Sequence, residues 1–308
     1  MAKLSLTPHG IKAGRSAGCN RTPPKRGTSK GWSASTSRRN RDFLKSIDPT
    51  QLDGHAVSAS LTLGRSSRLS ATEFKTIREN LFKRLARTGI TRHHWLTEFQ
   101  KDGTPHLHMM IFFPLSVHPN NAVEAIREHW LEVSEATGSK YSGQDVVAMY
   151  HLQGWLKYLA KHGSRGADHY QRCPPKGWET PGRMWGKSGT WPTSILEYDC
   201  DTSTFYRLRR WVRNWRLSDA RRALTKARRY CDEIGTQNAL RRIRSARQLL
   251  NRGTRQKSEL MGFDEWTSPE IINRMIDALM RVRGSYIRDY SEHKETPHNR
   301  FDARGAQT

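Results

Sequence analysis

The amino-acid sequence predicts an α+β fold: one mainly antiparallel, five-stranded sheet with helices packed on one side, followed by a basic helical extension. Three observations lead to this prediction. Segments with apolar residues at every second position alternate with segments in which apolar residues recur every three or four positions. Two consecutive strand-like segments are joined by turn residues of hairpin length at 101–105, which makes the centre of the sheet antiparallel. Arginine and lysine dominate the sequence beyond residue 204.

The first strand is predicted over residues 56–63, where apolar residues alternate strictly with small polar ones. One face carries Val57, Ala59, Leu61 and Leu63, and the other carries Ser58, Ser60 and Thr62. A capping box formed by Ser70 and Glu73 then begins a helix that ends at Gly89. This strand and helix open the predicted order βαββαβαβ.

The remaining elements complete that order. They are a hairpin over residues 92–113, a helix over 119–138, a strand over 144–149, a short helix over 151–162 and a last strand over 193–199. Basic helices are predicted over residues 204–255, and one more amphipathic helix over 269–282.

The positive charge is concentrated in two segments. Residues 1–45 carry 11 Lys and Arg against one acidic residue, and residues 204–255 carry 16 against three. Together they account for +23 of the formal net charge of +24, so the central part of the chain is almost neutral. Segments of one sign are what the neutralisation of phosphates requires, and we therefore expect nucleic-acid binding. Residues 1–45 also lack an apolar period, which predicts a disordered basic arm.

Cysteine usage and hydropathy exclude several classes of protein. The four cysteines are widely spaced and form no Cys-x-x-Cys pattern, which predicts free thiols and neither a disulfide framework nor a zinc ribbon. The sequence has no apolar run of 18 residues and no apolar segment behind its first residues. We therefore expect a protein that is neither secreted nor membrane-spanning.

A pair of histidines marks the candidate site. His106 and His108 are separated by one apolar residue at the start of an apolar run, so both imidazoles point to the same face of a strand. If Gln100 pairs with His106 across the turn, Glu98 lies opposite His108 on that face. Two imidazoles and a carboxylate with open coordination positions suit a catalytic Mg²⁺, Mn²⁺ or Zn²⁺ ion. A slip of one residue would turn Glu98 to the other face.

A candidate nucleophile lies on the short helix over residues 151–162. Tyr158 and Lys161 are neighbours at positions i and i+3, and both lie away from the apolar stripe of that helix. A phenol has a pKa near 10, so it needs assistance to attack at neutral pH. A bound metal ion can polarise the attacked phosphate, and a nearby ammonium group can stabilise the developing charge.

With these motifs in this order, the chain resembles the HUH endonuclease superfamily, in particular the single-tyrosine rolling-circle replication initiators of filamentous phages and small plasmids. The resemblance rests on the strand 58–63, on Glu98 with His106-Leu107-His108, and on Lys157-Tyr158-Leu159-Ala160-Lys161. Residues 182–189 and the arginine-rich residues 205–216 are also similar to such initiators. The position of a second catalytic tyrosine is occupied by Gly154.

The resemblance implies a mechanism and a set of partners. Glu98, His106 and His108 hold Mg²⁺ or Mn²⁺, and Tyr158 attacks one phosphate of single-stranded or extruded origin DNA with the aid of Lys161. The products are a 5′-phosphotyrosine and a free 3′-hydroxyl primer. The chain lacks a Gly-x-x-x-x-Gly-Lys-Ser/Thr loop, so a separate host helicase is expected to part the strands. The expected location is the cytoplasm of a bacterial host.

The resemblance also implies a division of the chain into a basic arm (1–45), a nicking endonuclease domain (46–203) and a DNA-binding extension (204–308). Predicted DNA contacts are Lys157, Arg207, Arg209, Arg210 and Arg213. Two alternatives stay open: a relaxase or transposase of the same superfamily, and a non-enzymatic basic nucleic-acid-binding protein in which the histidines are structural.

Overall fold

The computed structural model describes residues 2–15, 31–64, 69–149, 155–156, 169–248, 262–281 and 288–289. The chain divides into two compact units, one formed by Arg21–Ser194 and the other by Met1–Asn20 together with Ile195–Thr308. Among the helices that are described, none is long and apolar enough to cross a membrane.

The described elements have the following bounds. The strands are β1 (Ala2–Thr7), β2 (Gly10–Arg15), β3 (His55–Thr62), β4 (Arg92–Phe99), β5 (Pro105–Phe113), β6 (Asp145–Met149), β7 (Trp185–Ser188), β8 (Leu196–Cys200), β9 (Phe263–Trp266) and β10 (Arg288–Asp289). The helices are α1 (Ala34–Ser46), α2 (Ala71–Arg87), α3 (Pro119–Val133), α4 (Thr202–Arg229), α5 (Glu233–Gln248) and α6 (Pro269–Met280).

The unit formed by Arg21–Ser194 is built on a five-stranded sheet with the strand order β6-β3-β5-β4-β7. All four neighbouring pairs are antiparallel, as the sequence predicts. The long strand β5 lies at the centre, where the side chains of Leu107, Met109 and Ile111 are completely buried. Their alternation with His106 and His108 divides the sheet into an apolar face and a polar one.

Helices α2 and α3 lie on one side of this sheet, which confirms the predicted α+β arrangement. The capping box of Ser70 and Glu73 is present at the start of α2. Phe82 of α2 packs on His93 and Trp95, which share one face of β4. Helix α3 packs beside α2 and against β3 and β6.

Helix α1 packs on the other side of the sheet and falls within the segment that the sequence predicts to be disordered. Its Phe43 ring stacks on His94 of β4 and on Trp185 of β7, with ring centroids 5.8 and 6.2 Å apart. The bend at residue 31 and the serine cap at Ser33 begin the helix.

The last strand of this sheet differs from the prediction. Its edge is β7, whose four residues pair with β4. The predicted strand at 193–199 corresponds to β8, which belongs to the sheet of the other unit. Residues Trp185–Ser188 contain a glycine and show no period-2 pattern, so nothing local identifies them as a strand; the backbone of β4 supplies their partner.

The second unit contains a sheet that the sequence did not predict, with the strand order β10-β8-β1-β2-β9. Leu4 and Leu6 of β1 are buried in a core that includes Phe205 and Val212 of α4. Helices α4 and α5 pack against each other through Leu217, Ala220, Ile243 and Ala246.

The prediction that residues 1–45 form a disordered arm is therefore wrong for the described parts of that segment. Residues Ala2–Thr7 and Gly10–Arg15 form an antiparallel hairpin, and β1 pairs on its other side with β8. Basic and small residues dominate the composition of the segment, while the partner strand is remote in the sequence, which is why composition alone misleads. The two compact units also replace the predicted boundaries at 45/46 and 203/204.

The position of β1 inside its sheet can be tested with Leu6→Ala. Because Leu6 is 2% exposed, its truncation is expected to lower the free energy of unfolding by about 2–5 kcal/mol. Urea unfolding followed by circular dichroism measures this loss. Lys3→Ala changes an exposed residue of the same strand and should stay within about 0.5 kcal/mol of the wild type. Equal stability of the two variants would show that β1 is not part of a packed sheet.

Candidate functional site

The pairing of β4 with β5 brings Glu98 and the two histidines onto one face of the sheet. Glu98 lies directly opposite His106, and Leu96 lies opposite His108. The predicted pairing of Glu98 with His108 is therefore wrong by two residues. Because a shift of two residues preserves the side of the sheet, the predicted grouping of the three side chains survives the error. We call the side of the sheet that carries His94, Glu98, His106 and His108 the histidine face.

Strand β3 fixes the orientation of both imidazoles. Nδ1 of His108 lies 3.1 Å from the hydroxyl oxygen of Ser60, and Nδ1 of His106 lies 2.8 Å from that of Thr62. These hydroxyls belong to the polar face that the sequence predicts for the first strand. The two rings are nearly perpendicular, with centroids 4.4 Å apart. Engaging Nδ1 directs Nε2 to the opposite side of each ring, as in histidines that bind a metal ion.

Glu98 is completely buried and lies between a histidine and an arginine. Its Oε2 is 3.6 Å from Nε2 of His108, and its Oε1 is 3.4 Å from Nη2 of Arg172. A carboxylate without water around it requires a compensating positive charge, since the desolvation of an ion costs several kcal/mol. The guanidinium of Arg172 provides that charge, and its side chain is as completely buried as that of Glu98.

Arg172 is itself held in place by Trp32. The guanidinium carbon lies 3.5 Å from the centroid of the indole ring, and Nε1 of Trp32 donates a 2.8 Å hydrogen bond to the carbonyl of Thr97 in β4. Neither residue was predicted from the sequence. Trp32 lies in the predicted disordered arm and Arg172 in a segment without a period, and only long-range contacts bring them to Glu98.

Two further histidines, His93 and His94, lie on opposite faces of β4 and outside this cluster. Nε2 of His94 lies 2.7 Å from Oδ1 of Asn40, an acceptor, so the Nε2 atom carries the proton. Burial lowers the pKa of His94 to about 3, with smaller contributions from His93 and Lys187, and burial lowers the pKa of His93 to about 4. Both are therefore neutral packing residues at physiological pH.

The donor set suits a divalent ion, whereas the spacing of its members is not that of a ligand shell. Within the part of the chain that is described, no group of three or more His, Cys, Asp or Glu side chains is arranged to hold a metal ion. The ion pair with Arg172 accounts for one oxygen of Glu98. The two oriented imidazoles and the remaining carboxylate oxygen are the donors that could hold the ion.

Comparison with known proteins gives the cluster its context. The sequence model of the ORF2-type replication-associated protein family matches residues 56–166. A replication protein of Xylella fastidiosa strain 9a5c is 36% identical over 286 residues, which cover 88% of this chain and 94% of the relative. The replication-associated protein of Pseudomonas phage Pf3 is 35% identical over 266 residues, which cover 84% of this chain and 90% of that protein.

This chain belongs to the ORF2-type replication-associated protein family. A second replication protein, from Xylella fastidiosa strain Temecula1, is 36% identical over 87% of the chain and matches along its whole length. No solved structure matches the chain. The family match includes Glu98, His106 and His108 but ends before Arg172.

The predicted nucleophile Tyr158 lies outside the described residues, as do Lys157 and Lys161. Of the predicted helix over 151–162, only Trp155 and Leu156 are described; they are helical, and Leu156 is completely buried, as the predicted apolar stripe requires.

The four predicted DNA-contacting arginines lie on α4. Arg207 and Arg210 are exposed and Arg213 is half-buried, whereas Arg209 is only 4% exposed and is thus unsuited to a surface contact. Further along α4, a surface cavity of about 700 Å³ is lined by four cations that the prediction did not single out: Arg221, Arg222, Lys226 and Arg229.

The buried ion pair can be tested by removing either partner and then both. Arg172→Met leaves the carboxylate of Glu98 buried without its cation, so we expect a loss of about 3–5 kcal/mol in the free energy of unfolding. Adding Glu98→Gln should restore part of that loss, with a coupling of about 0.5–3 kcal/mol in a double-mutant cycle followed by urea unfolding. Lys176→Met, an exposed cation of the same segment, is the control. Additive effects of the two substitutions would contradict the pair.

The two buried histidines predict a loss of stability in acid. Their pKa values are about 3 and 4 in the folded chain, against 6.5 for an unperturbed imidazole, so the unfolded state takes up protons first. Stability should be complete above pH 6.5 and fall by roughly 1.4 kcal/mol per pH unit and histidine below it. Urea unfolding at pH 7, 6 and 5 measures the slope. His94→Gln should reduce that slope, and an unchanged slope would argue against the burial of a neutral His94.

Proposed function

We propose that the chain is a rolling-circle replication initiator that nicks one strand of its origin by metal-assisted tyrosine transesterification. The observation that carries this proposal is the cluster on the histidine face: a buried carboxylate and two imidazoles, each with Nδ1 engaged by a hydroxyl. Membership of a replication-associated protein family supports a role at an origin. The resemblance of the motif order to HUH endonucleases supports the nicking chemistry.

Glu98, His106 and His108 would hold Mg²⁺ or Mn²⁺ through one carboxylate oxygen and the two Nε2 atoms. A bound divalent ion would withdraw charge from the oxygens of the attacked phosphate. The hydroxyls of Ser60 and Thr62 keep the imidazoles in one orientation, and Arg172 keeps the other oxygen of Glu98 from turning away. These contacts reduce the reorganisation that is needed when the ion and the DNA bind.

Tyr158 is the proposed nucleophile. Its phenolic oxygen forms a bond to phosphorus and loses its proton, while the bond from phosphorus to the 3′-oxygen breaks and that oxygen gains a proton. The 3′-hydroxyl is released as a primer, and the 5′ end stays on the protein as a phosphotyrosine. Because the phosphodiester energy is retained in the covalent intermediate, attack by a 3′-hydroxyl can later rejoin the strand. Lys161 stabilises the charge that develops during this step.

Origin DNA is the proposed partner, and the basic surface of α4 would neutralise its phosphates. Arg207, Arg210 and Arg213 are accessible to it, and the cavity farther along the helix adds Arg221 and Arg222. Arg209 is left out because its side chain is buried. A separate helicase would part the strands.

One observation favours the non-enzymatic alternative. Glu98 already has a buried cation beside it, so the cluster is satisfied in charge without a metal ion. In that case the histidines would serve packing, and the protein would bind origin DNA without cutting it. A relaxase or transposase of the same superfamily would use the same chemistry on a different DNA.

The nicking activity is tested on the single-stranded origin of the replicon that encodes the chain, with Mn²⁺ and with Mg²⁺. The wild type should form a covalent protein–DNA adduct visible on a denaturing gel. Tyr158→Phe should form none, because no phenolic oxygen remains, and His106→Ala or chelation should abolish nicking. Lys161→Ala should slow the reaction by about 10- to 100-fold without abolishing it.

Tyr170→Phe removes an exposed tyrosine of the same unit and serves as the matched control, with wild-type adduct formation expected. An adduct on Tyr158→Phe would show that another residue is the nucleophile. Nicking that survives chelation would remove the metal from the mechanism, and an inactive wild type that still binds the origin would support the non-enzymatic alternative.

A further inference from the structure

A second candidate site lies on the side of the central sheet opposite the histidine face. It is a groove of about 730 Å³ that runs between α2 and the edge strand β7. Side chains that define it include Lys75, Arg78, Phe82, Lys83, Trp95 and Arg183. We call it the α2 groove. Its β7 wall belongs to residues 182–189, the segment that the nicking mechanism does not use.

The floor of the α2 groove is aromatic. The ring of Phe82 lies 4.6 Å from that of His93 and 5.7 Å from that of Trp95, measured between centroids. The guanidinium carbon of Arg78 lies 4.1 Å from the centroid of the Trp95 ring. Phe82 remains half-buried and so presents part of its ring to the groove. Flat rings together with a stacked guanidinium form a surface on which nucleic-acid bases can stack.

Two glycines of β7 and its turn allow the wall to approach this closely. A Cβ atom at Gly186 would lie 2.8 Å from Nε1 of Trp95, so any larger residue would push the strand off the indole. Gly189 has a φ of +77°, and a Cβ atom there would overlap the carbonyl oxygen of Thr91. The glycines of residues 182–189 thus have a structural explanation in the shape of the groove.

The rim of the α2 groove is cationic. Lys75, Lys83 and Arg183 are exposed, and Arg78 lies deeper, with its Nη1 donating to the carbonyl of Arg183. Burial lowers the pKa of Arg78 to about 10, which leaves it charged at neutral pH. The acidic residue on the groove is Glu79, 3.7 Å from Lys75. The side chains of Arg92 and Lys187 are used elsewhere, since Arg92 pairs with Asp53 and Nζ of Lys187 lies 4.3 Å from the Phe43 ring.

We propose that the α2 groove binds a single DNA strand, with phosphates along the rim formed by Lys75, Lys83 and Arg183 and bases against Phe82. Lys75 and Lys83 are two helical turns apart, about 12 Å along the axis, which spans a few successive phosphates. A duplex is too wide for the groove, whereas one strand places both its charges and its flat bases in contact. An acidic protein segment would use the rim and leave the aromatic floor without a partner.

The strand in the α2 groove is a different segment from the one at the histidine face. His93 and Trp95 point to the groove while His94 and Glu98 point to the other side, because neighbours along a strand alternate. The inference rests on the proposed function in that the protein handles single-stranded DNA, and it does not require cleavage. It can therefore be tested in a variant that cannot form the phosphotyrosine.

The experiment uses full-length Tyr158→Phe protein, a chelator, and an oligothymidylate of about 20 nucleotides that carries 5-iododeoxyuridine. Irradiation crosslinks bases to neighbouring side chains, and mass spectrometry locates the crosslinked peptides. We expect crosslinks in the peptides that contain Phe82 and residues 182–189. Arg183→Glu and Lys83→Glu, each alone, should lower the yield at those peptides by about fivefold or more, because each replaces a phosphate-binding cation by an anion.

Lys140→Glu is the matched control: it makes the same charge change at an exposed residue outside the groove lining and should alter the yield by less than about twofold. Crosslinks confined to peptides outside the groove, or equal losses in all three variants, would overturn the inference. So would competition by duplex DNA or by polyglutamate that matches competition by an unlabelled single strand. Absence of nicking in the wild type with groove crosslinks intact would contradict the proposed function and leave the inference standing.

Discussion

The antiparallel pairing of β4 with β5 is the constraint on which the rest of the central unit depends. It places Glu98 opposite His106 and assigns every neighbouring residue of β4 to one of two faces. On the histidine face the polar side chains converge on the ring pair. On the other face His93 and Trp95 are covered by α2 and form the floor of the cationic groove. A register changed by one residue would exchange the two faces and remove both sites at once.

Charge within the sheet imposes the second constraint. A fully buried carboxylate at Glu98 is tolerated because Arg172 lies 3.4 Å away and stacks on Trp32, which is tied to β4 through the carbonyl of Thr97. Buried ion pairs contribute little net stability compared with apolar packing, but they fix geometry strongly. We infer that this pair holds the carboxylate in one orientation, which is a suitable arrangement for a site in which a ligand must be ready before the ion and the DNA bind.

The distribution of cations suggests how origin DNA is held. The rim of the α2 groove and the exposed arginines of α4 lie in different compact units, and both are poor in acidic residues. Binding through many phosphate contacts weakens steeply with salt, so affinity for origin DNA should depend on ionic strength far more than the stability of either unit does. The cluster on the histidine face carries few charges, which suits a role in chemistry more than in affinity.

Local pattern determined a large part of this protein. Alternation predicted β3 and its hydroxyl-bearing face, the capping box predicted the start of α2, and the spacing of His106 and His108 put both rings on one side of β5, because each signal lies within a few residues of the chain. The register error at Glu98 was harmless because it was even. Only the tertiary structure could supply Arg172 and Trp32 for Glu98, the edge strand β7, and the partner of β1, since those contacts join segments from about 65 to nearly 200 residues apart and leave no periodic trace in the sequence.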